Sequence, residues 1–124
     1  MSIAPSRITL DWPDGTEYRA VGRHVLGGVA ARADLPVDRV EELGLVLDTL
    51  ARSPSTNGRL SLDIDVVAGA LSFRFGTFER DPLEDPAVRR VVSALVDSCG
   101  SAASDGGHLV VLSAGAGGEL PENE

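Results

Sequence analysis

Arg59-Leu60-Ser61-Leu62-Asp63-Ile64-Asp65-Val66-Val67-Ala68-Gly69-Ala70-Leu71-Ser72-Phe73-Arg74-Phe75-Gly76-Thr77-Phe78 reads as two strands joined by a tight turn. Leu60, Leu62, Ile64 and Val66 alternate with Ser61, Asp63 and Asp65. After the turn at Ala68-Gly69, Leu71, Phe73 and Phe75 alternate with Ser72 and Arg74. A period of two gives each strand one apolar and one polar face. The apolar face has to be buried against another layer, and the flanking sequence supplies it.

Upstream, Arg7-Ile8-Thr9-Leu10-Asp11-Trp12 alternates in the same way, and Pro13-Asp14-Gly15 ends it. A helix is expected from Thr16, as its cap, to about Arg32, with Glu17 in the first turn, where the helix dipole favours negative charge. Its apolar stripe is Tyr18, Val21, Val25, Leu26 and Val29, with His24 at the edge of that face. Gly22, Gly27 and Gly28 each weaken it by about 1 kcal/mol relative to alanine, which fits close packing or a soft helix. Asp34-Leu35-Pro36 breaks the chain. A second helix then runs from Pro36 or Val37 to Arg52 or Ser53, and Ser53 to Gly58 is a loop of turn-forming residues.

Downstream, Glu79 to Asp85 reads as a charged loop and Pro86 to Cys99 as a third helix, with Val88, Val91, Val92, Leu95, Val96 and Cys99 on one side. Gly100 to Gly107 reads as a loop of small residues and His108 to Ser113 as a last, buried strand. The expected order is β-α-α-β-β-α-β. That is an α+β fold, a two-layer α/β sandwich with one mixed or antiparallel sheet and three helices on one face. Residues 1–113 form a single domain in this reading, and residues 114–124 an acidic, glycine-rich, disordered tail.

Composition narrows the function classes. The net charge of −8 and pI of about 4.6 argue against nucleic acid or an anionic membrane surface as partner, because both would repel the chain. The single cysteine, Cys99, excludes an intrachain disulfide, and it reads as a small core residue of the third helix. Met1 to Arg7 lacks the basic and apolar regions of a signal peptide, and no apolar run approaches the roughly 20 residues of a membrane span. The expected location is the cytoplasm. The absence of lysine alongside abundant Ala, Val, Gly and Arg fits a high-GC bacterial genome.

Few residues carry chemistry. Asp63 and Asp65 share a strand face roughly 7 Å apart, and the alternation reads them as a solvated face. His24 and His108 are the only histidines, without the spacing of a zinc site. Gly115-Ala116-Gly117-Gly118 lacks the following helix that a phosphate loop needs. Asp48 stands out because Leu45, Val46, Leu47, Leu50 and Ala51 leave its helix little polar face, and a buried carboxylate must find a partner. On the first helix, Arg19 and Arg23 form a basic pair at i, i+4, suited to an acidic patch on a protein partner or to a solvated face.

The element order, the helix Glu42-Leu43-Gly44-Leu45-Val46-Leu47-Asp48-Thr49-Leu50-Ala51-Arg52-Ser53 and the closing Asp105-Gly106-Gly107-His108-Leu109-Val110-Val111-Leu112 resemble the anti-sigma factor serine kinases. These belong to the histidine-kinase-like ATPase superfamily, with the Bergerat fold. The resemblance spans about Arg7 to Ser113. It implies a glutamate base on the second helix and, four residues later, a magnesium-binding asparagine on the same helix face. The preferred register puts Thr49 and Ser53 there; slipping by one puts Asp48 and Arg52 there, and neither restores the pair. The adenine-reading Asp-x-Gly-x-Gly turn falls on Phe75-Gly76-Thr77-Phe78-Glu79-Arg80-Asp81-Pro82, which keeps only Gly76 as glycine. Asp85-Pro86-Ala87-Val88-Arg89 replaces the glycine-rich lid, and His108 stands where a threonine is expected.

These joint departures imply that ATP binding is lost and that no cofactor or metal is held. The resemblance then implies a non-catalytic regulator of transcription whose protein partner is a sigma factor or an antagonist of the anti-sigma factor. It also implies a homodimer formed through the sheet, for which the first strand and the hairpin offer edges and Trp12 an aromatic anchor. The competing readings are a divergent ATP-dependent serine kinase with Asp48 as base, and a structural partner subunit.

Overall fold

The computed structural model describes residues 6–67 and 69–115. The expected turn residue Ala68 and the expected tail beyond Gly115 lie outside the described residues. The elements are β1 (Ser6–Pro13), α1 (Arg19–Arg32), α2 (Val37–Leu50), β2 (Arg59–Val67), β3 (Ala70–Phe78), α3 (Pro86–Leu95), β4 (Ser98–Ser104) and β5 (Gly107–Gly115). Short 3-10 turns at Thr16–Tyr18 and Pro82–Glu84 precede α1 and α3. The fold is α+β. Its one five-stranded sheet has the order β1-β2-β3-β5-β4, antiparallel at every pairing. None of the helices is long and apolar enough to cross a membrane among the described residues.

The alternation read from the sequence fixes which sheet face is inside. Ile8, Ile64, Phe73, Leu112 and Cys99 stand opposite one another across five strands, as do Leu10, Leu62, Phe75 and Val110 across four. These rows meet Leu26, Val29, Leu43, Val46, Leu47, Leu50 and Val92 of the helices in one apolar core. Trp12 is 5% exposed and its ring lies 5.8 Å from that of Phe75, so it is a core residue and not an anchor at an edge. Gly22 earns its place here: a β-carbon on it would stand 3.0 Å from the Trp12 ring. The hairpin strands are also internal to the sheet, so its edges are β1 and β4.

Two local corrections follow from backbone chemistry. The expected third helix to Cys99 and the loop to Gly107 give way to a shorter α3 and an additional strand, β4. Val96 leaves the helix with φ −124° and ψ 164°, and the Asp97 N–H donates to Ser113 O at 2.9 Å. Asp105 and Gly106, with φ of 42° and 81°, form the two-residue turn that joins β4 to β5. Positive φ at both central residues matches the twist of a hairpin. Cys99 therefore sits on a strand, half-buried, with its Sγ 3.6 Å from Ser93 Oγ. Ala114 and Gly115, expected in the tail, extend β5.

At the other end of the chain, Thr16 does not cap a long helix; it opens the 3-10 turn, and no side chain caps α1. His24 is exposed on α1 and Tyr18 is only partly covered. α1 ends as a Schellman motif: Leu35 N–H donates to Ala30 O and Asp34 N–H to Ala31 O, with Asp34 at φ 62° and Leu35 buried. In β3 the register slips between Phe75 and Phe78. That bulge turns Phe78 inward, edge-on to Phe75 at 5.5 Å.

Candidate functional site

The C-terminal end of α2, the loop after it and the start of α3 frame a groove. Loop residues 54–56 are tied to the end of β3: Glu79 N–H donates to Pro54 O and Thr56 N–H to Thr77 O, each at 3.0 Å. Asp85 caps α3 by accepting from Ala87 N–H at 2.9 Å, with Pro86 in the first turn. Between these elements lies a groove of about 540 Å³, lined by Thr49, Arg52, Ser53, Pro54, Asp85, Ala87, Val88 and Val91. A second hollow of about 370 Å³ shares Ser53, Pro54, Asp85 and Val88 and continues to Arg80, Asp81, Pro82 and Glu84.

Of the two registers considered from the sequence, both members of the first and Arg52 of the second line the groove. Thr49 and Ser53 line the groove together, as residues four apart on a helix and its continuation should. Asp48 is not among the groove residues. Its side chain is 21% exposed and accepts from Arg23 Nη1 of α1 at 2.9 Å. Gly44 makes room for that crossing, since a β-carbon there would stand 3.3 Å from Arg23 Nε. The basic pair read on α1 is thus divided: Arg23 braces α1 on α2, while Arg19 is half-buried and has no ion-pair partner among the described residues.

The side chains of Thr49 and Asp81 are already engaged. Thr49 Oγ1 donates to Leu45 O at 2.8 Å, which ties it to its own helix. Asp81 Oδ1 accepts from Leu83 N–H at 2.9 Å and from Ser101 Oγ at 2.6 Å. Pro82 and Leu83 are buried beneath it, plugging the floor where β3 passes into α3. No group of three His, Cys, Asp or Glu residues forms a metal-ligand set among the described residues.

Gly76 and His108 meet each other and not the groove. A β-carbon on Gly76, at φ 154°, would lie 2.8 Å from His108 O, so the glycine serves the bulge of β3 against β5. His108 itself stands opposite Phe78 and Ala103 in the sheet. Asp63 and Asp65 lie on the face away from the helices, within 3.8 Å of Arg74, and Asp65 is 3.1 Å from Arg7 Nε. Arg39 carries no sequence signal, yet among the described residues it makes four side-chain hydrogen bonds, with only 12% exposure. A pattern search for apolar faces passes over an arginine, and nothing local marks it.

The chain matches no family model and no curated protein.

The Arg23–Asp48 pair should be a modest brace. Both partners reach solvent, so a double-mutant cycle of Arg23→Ala and Asp48→Asn should give a coupling of about 0.2–1 kcal/mol, read by urea denaturation. A coupling near zero, or a stabilised Asp48→Leu variant, would show that the contact does not brace α1 on α2.

Proposed function

We propose that this domain is a non-catalytic regulatory module that acts through protein–protein contact in the bacterial cytoplasm. On the resemblance drawn from its sequence, its partner is a sigma factor or an antagonist of an anti-sigma factor. The observation that carries the reading is the composition of one helix face. Thr49 near the end of α2 and Ser53 just beyond it share the groove with Arg52, and they offer two hydroxyls where the resembled kinases carry a carboxylate and an amide. A hydroxyl does not act as a general base at neutral pH, and it binds magnesium weakly without carboxylates beside it.

The remaining features point the same way. Asp48, the one carboxylate that could serve as a base, faces Arg23 of α1 instead of the groove. Asp81 spends its carboxylate on Leu83 and Ser101. A triphosphate laid along the groove would also meet Asp85 and Glu84. No observation favours the kinase reading or that of a purely structural subunit. Calorimetric titration with ATP and magnesium should give no saturable heat. Binding with a dissociation constant below about 100 μM, a free energy of roughly 5.5 kcal/mol, would sink the reading.

The same resemblance implies a homodimer formed through the sheet, and the sheet face away from the helices can support one. Across it, Arg7, Asp63, Asp65 and Arg74 neutralise one another. Beside them, Leu109 and Val111 stand opposite the small Ala102 and Gly100. A face without net charge escapes the repulsion that the −8 of the whole chain would impose. Sedimentation equilibrium at micromolar concentration should report twice the 12.9 kDa chain mass, and Leu109→Glu should return it to one chain. A single species at the chain mass in the unmodified protein rejects the dimer.

A further inference from the structure

Asn57-Gly58 lies in the loop between α2 and β2, a few residues beyond the groove-lining Ser53 and Pro54. Ser55 is buried and bridges to Phe78, but Thr56, Asn57, Gly58 and Arg59 are all exposed. Gly58 has φ 79°, and a β-carbon on it would meet nothing within 4 Å. Glycine has no side chain to shield its own peptide nitrogen, and here the space beside its α-carbon is open as well.

The Asn57 side chain is folded along the chain toward that nitrogen. Its Oδ1 accepts from Arg59 N–H at 3.1 Å, an Asx turn that carries the side-chain amide forward over the Asn57–Gly58 peptide. A donor on a carbonyl oxygen stabilises the negative charge that develops there when its carbon is attacked. Asn57 Nδ2 donates to nothing among the described residues, so the leaving group is untied. The rest of the chain lacks this combination. Asp14-Gly15 and Asp105-Gly106 have the glycine, but an ionised carboxylate resists a nucleophile and has no ammonia to lose. Asn123, outside the described residues, is followed by Glu124, whose side chain hinders the nitrogen after it.

We infer that Asn57 is a site of spontaneous deamidation in the folded protein. The Gly58 nitrogen gives its proton to base and attacks Asn57 Cγ. The bond from that nitrogen to Cγ forms, the Cγ–Nδ2 bond breaks, and Nδ2 takes a proton from solvent and leaves as ammonia. Water then opens the succinimide at either carbonyl, giving aspartate or isoaspartate, with nothing oxidised or reduced. Either product adds a carboxylate to a loop that already holds Asp14, next to the Arg59–Asp11 pair. Isoaspartate also inserts one extra main-chain atom between two anchors of the loop, the Thr56 N–H bond to Thr77 O and the Asp14 N–H bond to Gly58 O. The span between those anchors loosens, so the loop that follows Ser53 and Pro54 is the part of the fold that changes with age.

Incubation of the full chain in mildly alkaline buffer, then cleavage after arginine and mass spectrometry against an unincubated control, tests this on the peptide Ser53–Arg59. That peptide should gain the mass of an amide turned into an acid at least tenfold faster than the one that carries Asn123, and faster still as pH rises. Isoaspartate should exceed aspartate among its products, which opening of a succinimide gives and direct hydrolysis of the amide does not. The folded chain should react within tenfold of the rate of a synthetic Ser53–Arg59 peptide. Gly58→Ala should slow the reaction at least tenfold in the chain, and also in the synthetic peptide, where no fold is at stake. In the aged chain the Thr56 and Asp14 amides should exchange with deuterium at least tenfold faster than in the control. A chain that reacts no faster at Asn57 than at Asn123, that lags the synthetic peptide by more than tenfold, or that yields aspartate alone overturns the site. Unchanged amide exchange once isoaspartate has formed overturns the loosening of the loop.

Discussion

The guanidinium of Arg39 ties α2 to the end of α3 and to the sheet. From α2 it donates to Leu95 O at the end of α3 at 2.8 Å and to Gly115 O at the end of β5 at 3.3 Å. It also pairs with Asp97 at 2.8 Å and with Glu42 at 3.2 Å. Only a planar group with several donors can serve carbonyls and carboxylates in these directions at once. Apolar burial places the helices on the sheet but is indifferent to small slides along it. The directional bonds of Arg39 remove that freedom where α2, α3 and the sheet meet. They fix the N-terminal end of α2 against the C-terminal end of α3, and so set the spacing of the two helices over their length.

The groove is a consequence of that spacing. At the far end from Arg39, α2 passes into the loop at Ser53, and α3 begins under the cap of Asp85. Loop residues 54–56 are pinned to β3 by backbone bonds, and Pro82 with Leu83 closes the floor. What remains open is the groove between these walls. A partner of the kind proposed would meet a surface that needs no prior ordering, which lowers the entropic cost of association. The Arg23–Asp48 brace on the opposite flank of α2 keeps the only nearby carboxylate of that helix turn out of the groove.

The elements with strict periodicity were legible in the sequence. The hairpin of β2 and β3, the strand ending at Trp12 and the core faces of α1 and α2 all follow from alternation or helical spacing. β4 was not legible by that route, because Ser98-Cys99-Gly100-Ser101-Ala102-Ala103-Ser104 has no large apolar residue to alternate. Its signal was the turn instead: Asp105-Gly106 is a strong hairpin dipeptide, and it sat next to a certain strand. Of the candidate site, the i, i+4 spacing of Thr49 and Ser53 was legible in the sequence, and both line the groove. The engagement of Asp48 by Arg23, and the whole role of Arg39, depend on contacts between residues 25 to 76 positions apart. No local pattern carries such pairings.

The proposed function requires that the α2–α3 groove take no nucleotide. Amide NMR spectra recorded with and without millimolar ATP and magnesium test it residue by residue. The account predicts that the amides of Thr49, Arg52, Ser53, Ala87 and Val88 keep their positions throughout the titration. Saturable shifts confined to those amides would contradict it and would return the groove to nucleotide chemistry.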